Sequence, residues 1–284
     1  MLSRCTYDRD QRACVARHPT PCGPSAPAGN IEPTLHPTPS PSSTHNVLFI
    51  GNSYSWHLSS NYASLAHESH PSVLAYRYAP GKAWLMAASA NPYVHRLIAG
   101  SAPPYLKWDY IVLQEQSQIP TFQVAPPYTQ YAQGFAASMQ AVIALARAAR
   151  AVGARTALFM TWAHEAGDEV NALLSPTFEK MAHNLHSGYV RYLEAILDDG
   201  GDALLVPVGA AWRQVHDSNP SLFRRLNRHD QAGSHPTIVG EYLTASVFYV
   251  RLHPQMNVCE PARADAACAL CVPVRVCRTC RLLC

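Results

Sequence analysis

Asn46-Val47-Leu48-Phe49-Ile50-Gly51-Asn52-Ser53-Tyr54-Ser55 is the stretch whose reading decides the fold. Its first half is a short apolar run that suits a strand buried on both faces. Gly51 permits a tight turn, and Ser53 follows it at the expected start of a helix. The free N–H groups and the dipole of a helix N-terminus can stabilise a developing oxyanion. Serines at such places also cap helices. Ser53 therefore has two readings at this point, cap or nucleophile.

Outward from this stretch, strand-like and helix-like segments alternate. Val73 to Tyr78, Tyr110 to Leu113, Thr156 to Thr161 and Ala203 to Val208 are further apolar runs of strand length. Tyr128 to Val152 is Ala-rich and stops at Gly153, as a long helix would. Phe178, Met181, Leu185, Tyr189, Tyr192 and Ile196 recur every three or four residues and mark one buried helical face. Pro236 to Leu252 reads as a closing helix. Strands separated by helices imply an α/β fold, three layers in α/β/α order around a five-stranded parallel sheet, flavodoxin-like. Chemistry in such sheets gathers at the carboxyl ends of the strands.

At 284 residues the chain can hold one sizeable α/β domain, or at most two small ones. An apolar fraction of 48% and a charged fraction of 14% are those of a globular protein. A net charge of +3 over this length makes no case for nucleic acid. No run approaches the roughly 18 apolar residues of a membrane span. Residues 1–45 are rich in Pro, Ser and Thr and read as a flexible, partly extended arm, a disordered one. Met1 to Ala16 carries Arg4, Asp8, Arg9, Asp10 and Arg12 with no apolar core, which is not a signal peptide as numbered. The compartment stays open, cytoplasmic or secreted from a different start.

The nine cysteines fall at the two ends, with none between Asn46 and Val258. The domain expected over 46–252 thus uses no thiol and no internal disulfide. In the tail, 253–284, Cys268 and Cys271 form one Cys-x-x-Cys unit, and Cys277 and Cys280 form a second. That spacing suits zinc, but the five residues between the units fall far short of a zinc ribbon's usual interval. A disordered tail is the preferred reading, and no metal is assigned.

Leu48 to Ser55 resembles the first block of the SGNH (GDSL-like) hydrolases, in a variant with Gly-Asn-Ser. Tyr78-Ala79-Pro80-Gly81 resembles the second block and Trp108 to Ser117 the third. Gly233-Ser234-His235-Pro236-Thr237, followed by Gly240 to Ala245, resembles the last. Four blocks in order cover 46–252, and the branch they resemble is the Gly-Asn-Ser group of bacterial SGNH-like proteins related to carbohydrate acetylesterases. The resemblance implies Ser53 as nucleophile, His235 as general base, and an oxyanion hole from the N–H groups of Ser53 and Gly81. His57, His67, His70, His183 and His186 read as structural or surface histidines.

Two positions depart from the family pattern. The third block usually supplies an asparagine to the oxyanion; here Gln114, Gln116 and Gln118 stand nearby. Sugar acetylesterases of the superfamily place a serine three residues after a glutamine, which matches Gln114 and Ser117. Gln114 is thus the first candidate donor and Gln116 the second, unless these amides serve only the loop. The family's acid would fall on Ala232; the nearest one is Asp230. Either Asp230 reaches His235, or the pair works as a dyad steadied by a backbone carbonyl or water. The implied activity is a serine esterase without cofactor, acting on an acetylated carbohydrate or another short-chain ester. A catalytically silent carbohydrate-binding protein is the alternative. Trp84, Trp108 and Trp162 read as either core or a sugar-stacking wall.

Overall fold

The computed structural model describes residues 5–8, 13–16, 45–69, 73–228 and 234–253. The Cys-rich tail lies outside them, as does most of the expected arm. Within that arm β1 (Cys5–Asp8) and β2 (Ala13–Ala16) pair antiparallel. Prolines begin only at Pro19, so the ribbon occupies a stretch in which no ring removes a ladder donor.

The sheet is built from β3 (His45–Ile50), β4 (Val73–Tyr78), β5 (Tyr110–Leu113), β6 (Arg155–Phe159) and β7 (Ala203–Val206). All pairings are parallel, in the order β4-β3-β5-β6-β7. Val47 to Ile50 and Ile111 to Leu113 are fully buried, which is why these strands read as unbroken apolar runs rather than alternating ones. On the helical layers, α1 (Leu58–Ser69) packs on β4 and against α8 (Ile238–Leu252). The 22-residue α4 (Gln130–Ala151) packs on β5 and β6 and against α5 (Phe178–Asp198). All six periodic residues of α5 are buried.

Two strands are shorter than their apolar runs. β6 ends at Phe159, and β7 ends at Val206 because Pro207 opens α6 (Val208–Ser218). The short helices α2 (Leu85–Ser89), α3 (Pro92–Ile98) and α7 (Pro220–Leu226) leave too few turns for a periodic signature. Register does the functional work. Ile50 stands opposite both Tyr78 and Leu113, and Leu113 opposite Leu158. The residues that follow these strand ends, Gly51, Ala79, Gln114 and the loop after β6, therefore emerge at one level on one edge.

Candidate active site

The chain leaves β3 into a one-turn 3-10 helix, Ser53–Ser55. Asn52 caps it, its Oδ1 accepting from Tyr54 N at 3.2 Å. The capping duty thus falls on Asn52, and the Ser53 hydroxyl meets His235 instead, Oγ to Nε2 at 3.0 Å.

Beneath the turn, Gln114 is fully buried. Its Oε1 accepts from Asn52 N at 2.9 Å and Ser55 Oγ at 3.0 Å. Its Nε2 donates to Asn52 Oδ1 at 3.0 Å and to the Glu115 carbonyl at 2.6 Å. A side-chain amide has two N–H groups, and both are used. In this arrangement neither proton is turned toward the Ser53 hydroxyl, and the amide holds the Ser53 turn. Gly51 is needed for the same contact, since a Cβ there would stand 2.5 Å from Gln114 Oε1. The partly exposed Gln116 bonds Gln118 through its own Nε2 at 3.0 Å.

Gly81 lies in a turn closed by Ala83 N donating to Pro80 O at 3.1 Å. Lys82 takes the left-handed conformation in it, at φ +59°. A Cβ at Gly81 would only come into ordinary contact with the Trp56 ring, at 3.4 Å. Among the described residues the N–H groups of Ser53 and Gly81 have no acceptor within the protein.

His235 is carried by a short antiparallel bridge to the end of α7. Asn227 pairs with Pro236, and Arg228 N donates to His235 O at 2.8 Å. Asp230 falls between these partners in sequence and lies outside the described residues.

Behind the Ser53–His235 pair, Tyr54 stacks on Trp162 at 4.5 Å between centroids, and Trp162 on Trp212 at 4.3 Å. Trp162 is core and pocket wall at once. Trp108 is core, its indole bonded to Leu97 O at 2.7 Å, and Trp84 is half-buried against the core. His164, in the loop after β6, has its Nε2 3.3 Å from the Tyr54 hydroxyl. Burial lowers its pKa, the Asp168 carboxylate opposes that shift, and His235 adds to it. The reading of the sequence missed His164, Asn52 and Trp56. Position was their only signal, since each follows a strand end.

A pocket of about 200 Å³ opens above Ser53, lined among others by Trp56, His57, Arg228, His235 and Glu241. Trp56 is 42% exposed, and its indole N–H donates to Ala79 O at 2.7 Å, which fixes the ring at the mouth. Arg228 and Glu241 face each other at 3.8 Å. Among the described residues no group of three His, Cys, Asp or Glu could hold a metal ion, and no helix is long and apolar enough to cross a membrane.

No family model matches the sequence, and no curated protein does. Solved structures do match. A protein from Slackia heliotrinireducens assigned as an SGNH hydrolase superposes with a TM-score of 0.54 at 25% identity, over 74% of this chain and 100% of that one.

The chain has the SGNH hydrolase fold.

The acetylxylan esterase of Geobacillus stearothermophilus shares the fold at a TM-score of 0.51 and 15% identity, over 74% of this chain and 94% of that one. A tryptophan mutant of the same organism's acetyl-xylooligosaccharide esterase gives 0.52 and 14%, over 78% and 98%. The likeness to the Slackia protein supports, at the coarse level, a hydrolase.

Proposed function

We propose that the protein is a serine esterase in which Ser53 attacks and His235 serves as general base and then general acid. The observation that carries this is the 3.0 Å contact between Ser53 Oγ and His235 Nε2 at the carboxyl edge of the sheet. In the first step Nε2 takes the hydroxyl proton as Oγ bonds to the ester carbonyl carbon. The oxyanion so formed is held by the N–H groups of Ser53 and Gly81. Collapse breaks the ester C–O bond, and the imidazolium returns its proton to the departing alcohol. Water, activated by the same nitrogen, then releases the acid from the acyl-enzyme. For Nε2 to accept, Nδ1 must carry the ring proton, and Asp230 is the carboxylate proposed to hold it there.

The preferred substrate is a small acyl ester of a carbohydrate. At about 200 Å³ the pocket is below the usual ~300–1,000 Å³ of a ligand site, which suits a short acyl group. The exposed Trp56 face offers a stacking surface to a sugar ring at the mouth, and His57, Arg228 and Glu241 offer hydrogen bonds to its hydroxyls. Acetylated xylo-oligosaccharides, the substrate class in a fold neighbour's description, are the first compounds to try. Acetate release by the wild type, abolished in Ser53→Ala, is the expected result. Saturable binding of the sugar without acetate release by the wild type would favour a silent binding protein.

A further inference from the structure

Glu115 follows Gln114 at the end of β5 and is fully buried, with no cation among its hydrogen-bond partners. A carboxyl group in such a place is costly, and an apolar side chain would fill the volume without that cost. Its bonds show what it secures. Oε1 accepts from Leu85 N at 3.0 Å and from Gln116 N at 2.7 Å. Oε2 bonds the Ser138 hydroxyl of α4, which in turn bonds Tyr192 OH of α5 at 2.8 Å.

Leu85 is the first residue of α2, directly after the loop that bears Gly81. Its cap position is Trp84, which makes no side-chain cap bond. A helix start leaves its first N–H groups unpaired, and Glu115 supplies the missing acceptor from 30 residues away. The Gly81 loop is tied at two further points, both to the nucleophile turn. Trp56 Nε1 donates to Ala79 O at 2.7 Å, and Asn52 Nδ2 donates to Ala83 O at 3.1 Å. The consecutive residues Gln114 and Glu115 thus grip the two halves of the oxyanion site, Gln114 the Ser53 turn and Glu115 the start of α2.

We propose that Glu115 is a positioning residue, whose carboxyl oxygen fixes the Gly81 loop against the Ser53 turn and so sets the spacing of the two oxyanion donors. The proposal rests on the serine-esterase reading above. What matters in it is the reach of Oε1 as an acceptor, not the charge.

The test compares Glu115→Asp with Glu115→Gln, using p-nitrophenyl acetate turnover and thermal melts. Glu115→Asp keeps the acid but withdraws it by one methylene, and kcat should fall about 10- to 100-fold with KM nearly unchanged. Glu115→Gln keeps an oxygen in place and should retain most of the wild-type kcat. A wild-type kcat in folded Glu115→Asp would overturn the proposal, and so would a large kcat loss in Glu115→Gln whether or not the aspartate variant folds. Wild-type protein that turns over no ester and takes no fluorophosphonate at Ser53 would fail the esterase reading itself, whatever the variants do.

Discussion

Ser53 Oγ and His235 Nε2 lie 3.0 Å apart across 182 positions of sequence. Two independent supports produce that contact. The serine is set by the turn after β3, which Asn52 caps and Gln114 anchors from below. The histidine is set by backbone pairing between the end of α7 and the residues just before α8. Neither support depends on the other, so each can be removed separately.

Gln114→Ala removes the first support. Asn52 N and Ser55 Oγ lose their buried acceptor, at about 1–3 kcal/mol for each group left unpaired. Urea unfolding should register that loss, and kcat should fall about 10²-fold as the turn shifts. Gln116→Ala, at a partly exposed amide, should have much less effect on both. Equal effects of the two substitutions would contradict the anchoring role of Gln114.

Asp230→Asn probes the orientation of His235. With the carboxylate gone, the imidazole loses the group proposed to hold its Nδ1 proton, and kcat should drop by about 10³- to 10⁴-fold with KM nearly unchanged. Retention of most of the rate would show that His235 is oriented by something else.

The scaffold was largely legible in the sequence, because central strands covered on both faces have to be apolar at every position. Val47 to Ile50 and Ile111 to Leu113 therefore announce themselves. The contact between Ser53 and His235 could be anticipated because Ser53 follows a glycine turn and His235 immediately precedes a Pro-Thr helix start. The place of Gln114 was legible, its bonding beneath the Ser53 turn was not. A glutamine facing a ligand and one spending all its bonds beneath the turn look identical in sequence. Only the occupancy of its two N–H groups separates them. The short helices α2, α3 and α7 escaped because one or two turns of helix hold too few residues to show a 3.6-residue period, whereas the 11-residue α6 does carry one, in Val208, Ala211, Trp212 and Val215.

Burial raises the pKa of Glu115, against the smaller opposing effects of Ser138 and the N–H groups of Gln116 and Leu85. A carboxyl whose folded value exceeds its unfolded value contributes most below the unfolded value of about 4.5, and that contribution is lost as pH rises through the folded value. Glu115→Gln, which cannot ionise, should thus gain stability relative to wild type as pH increases from 4 to 8. Urea melts across that range check the slope. A difference that stays flat or shrinks would contradict a buried, desolvated carboxyl.

His164 behaves in the opposite sense. Burial lowers its pKa below the ordinary imidazole value of 6.5, with His235 adding to the shift and Asp168 opposing it. The stability it contributes is present above 6.5 and is lost as pH falls through the depressed folded value. His164→Gln should therefore flatten the fall in melting temperature between pH 7 and pH 5. An equally steep fall in the variant would show that other groups govern the acid side.

The most direct measurement of the central claim is covalent labelling with a fluorophosphonate probe, followed by mass spectrometry of the modified peptide. The account predicts a single adduct on Ser53, with Ser55 and Ser117 unmodified, and a labelling rate reduced by orders of magnitude in His235→Ala. Folded wild-type protein that takes no label, or an adduct on another serine, would contradict it.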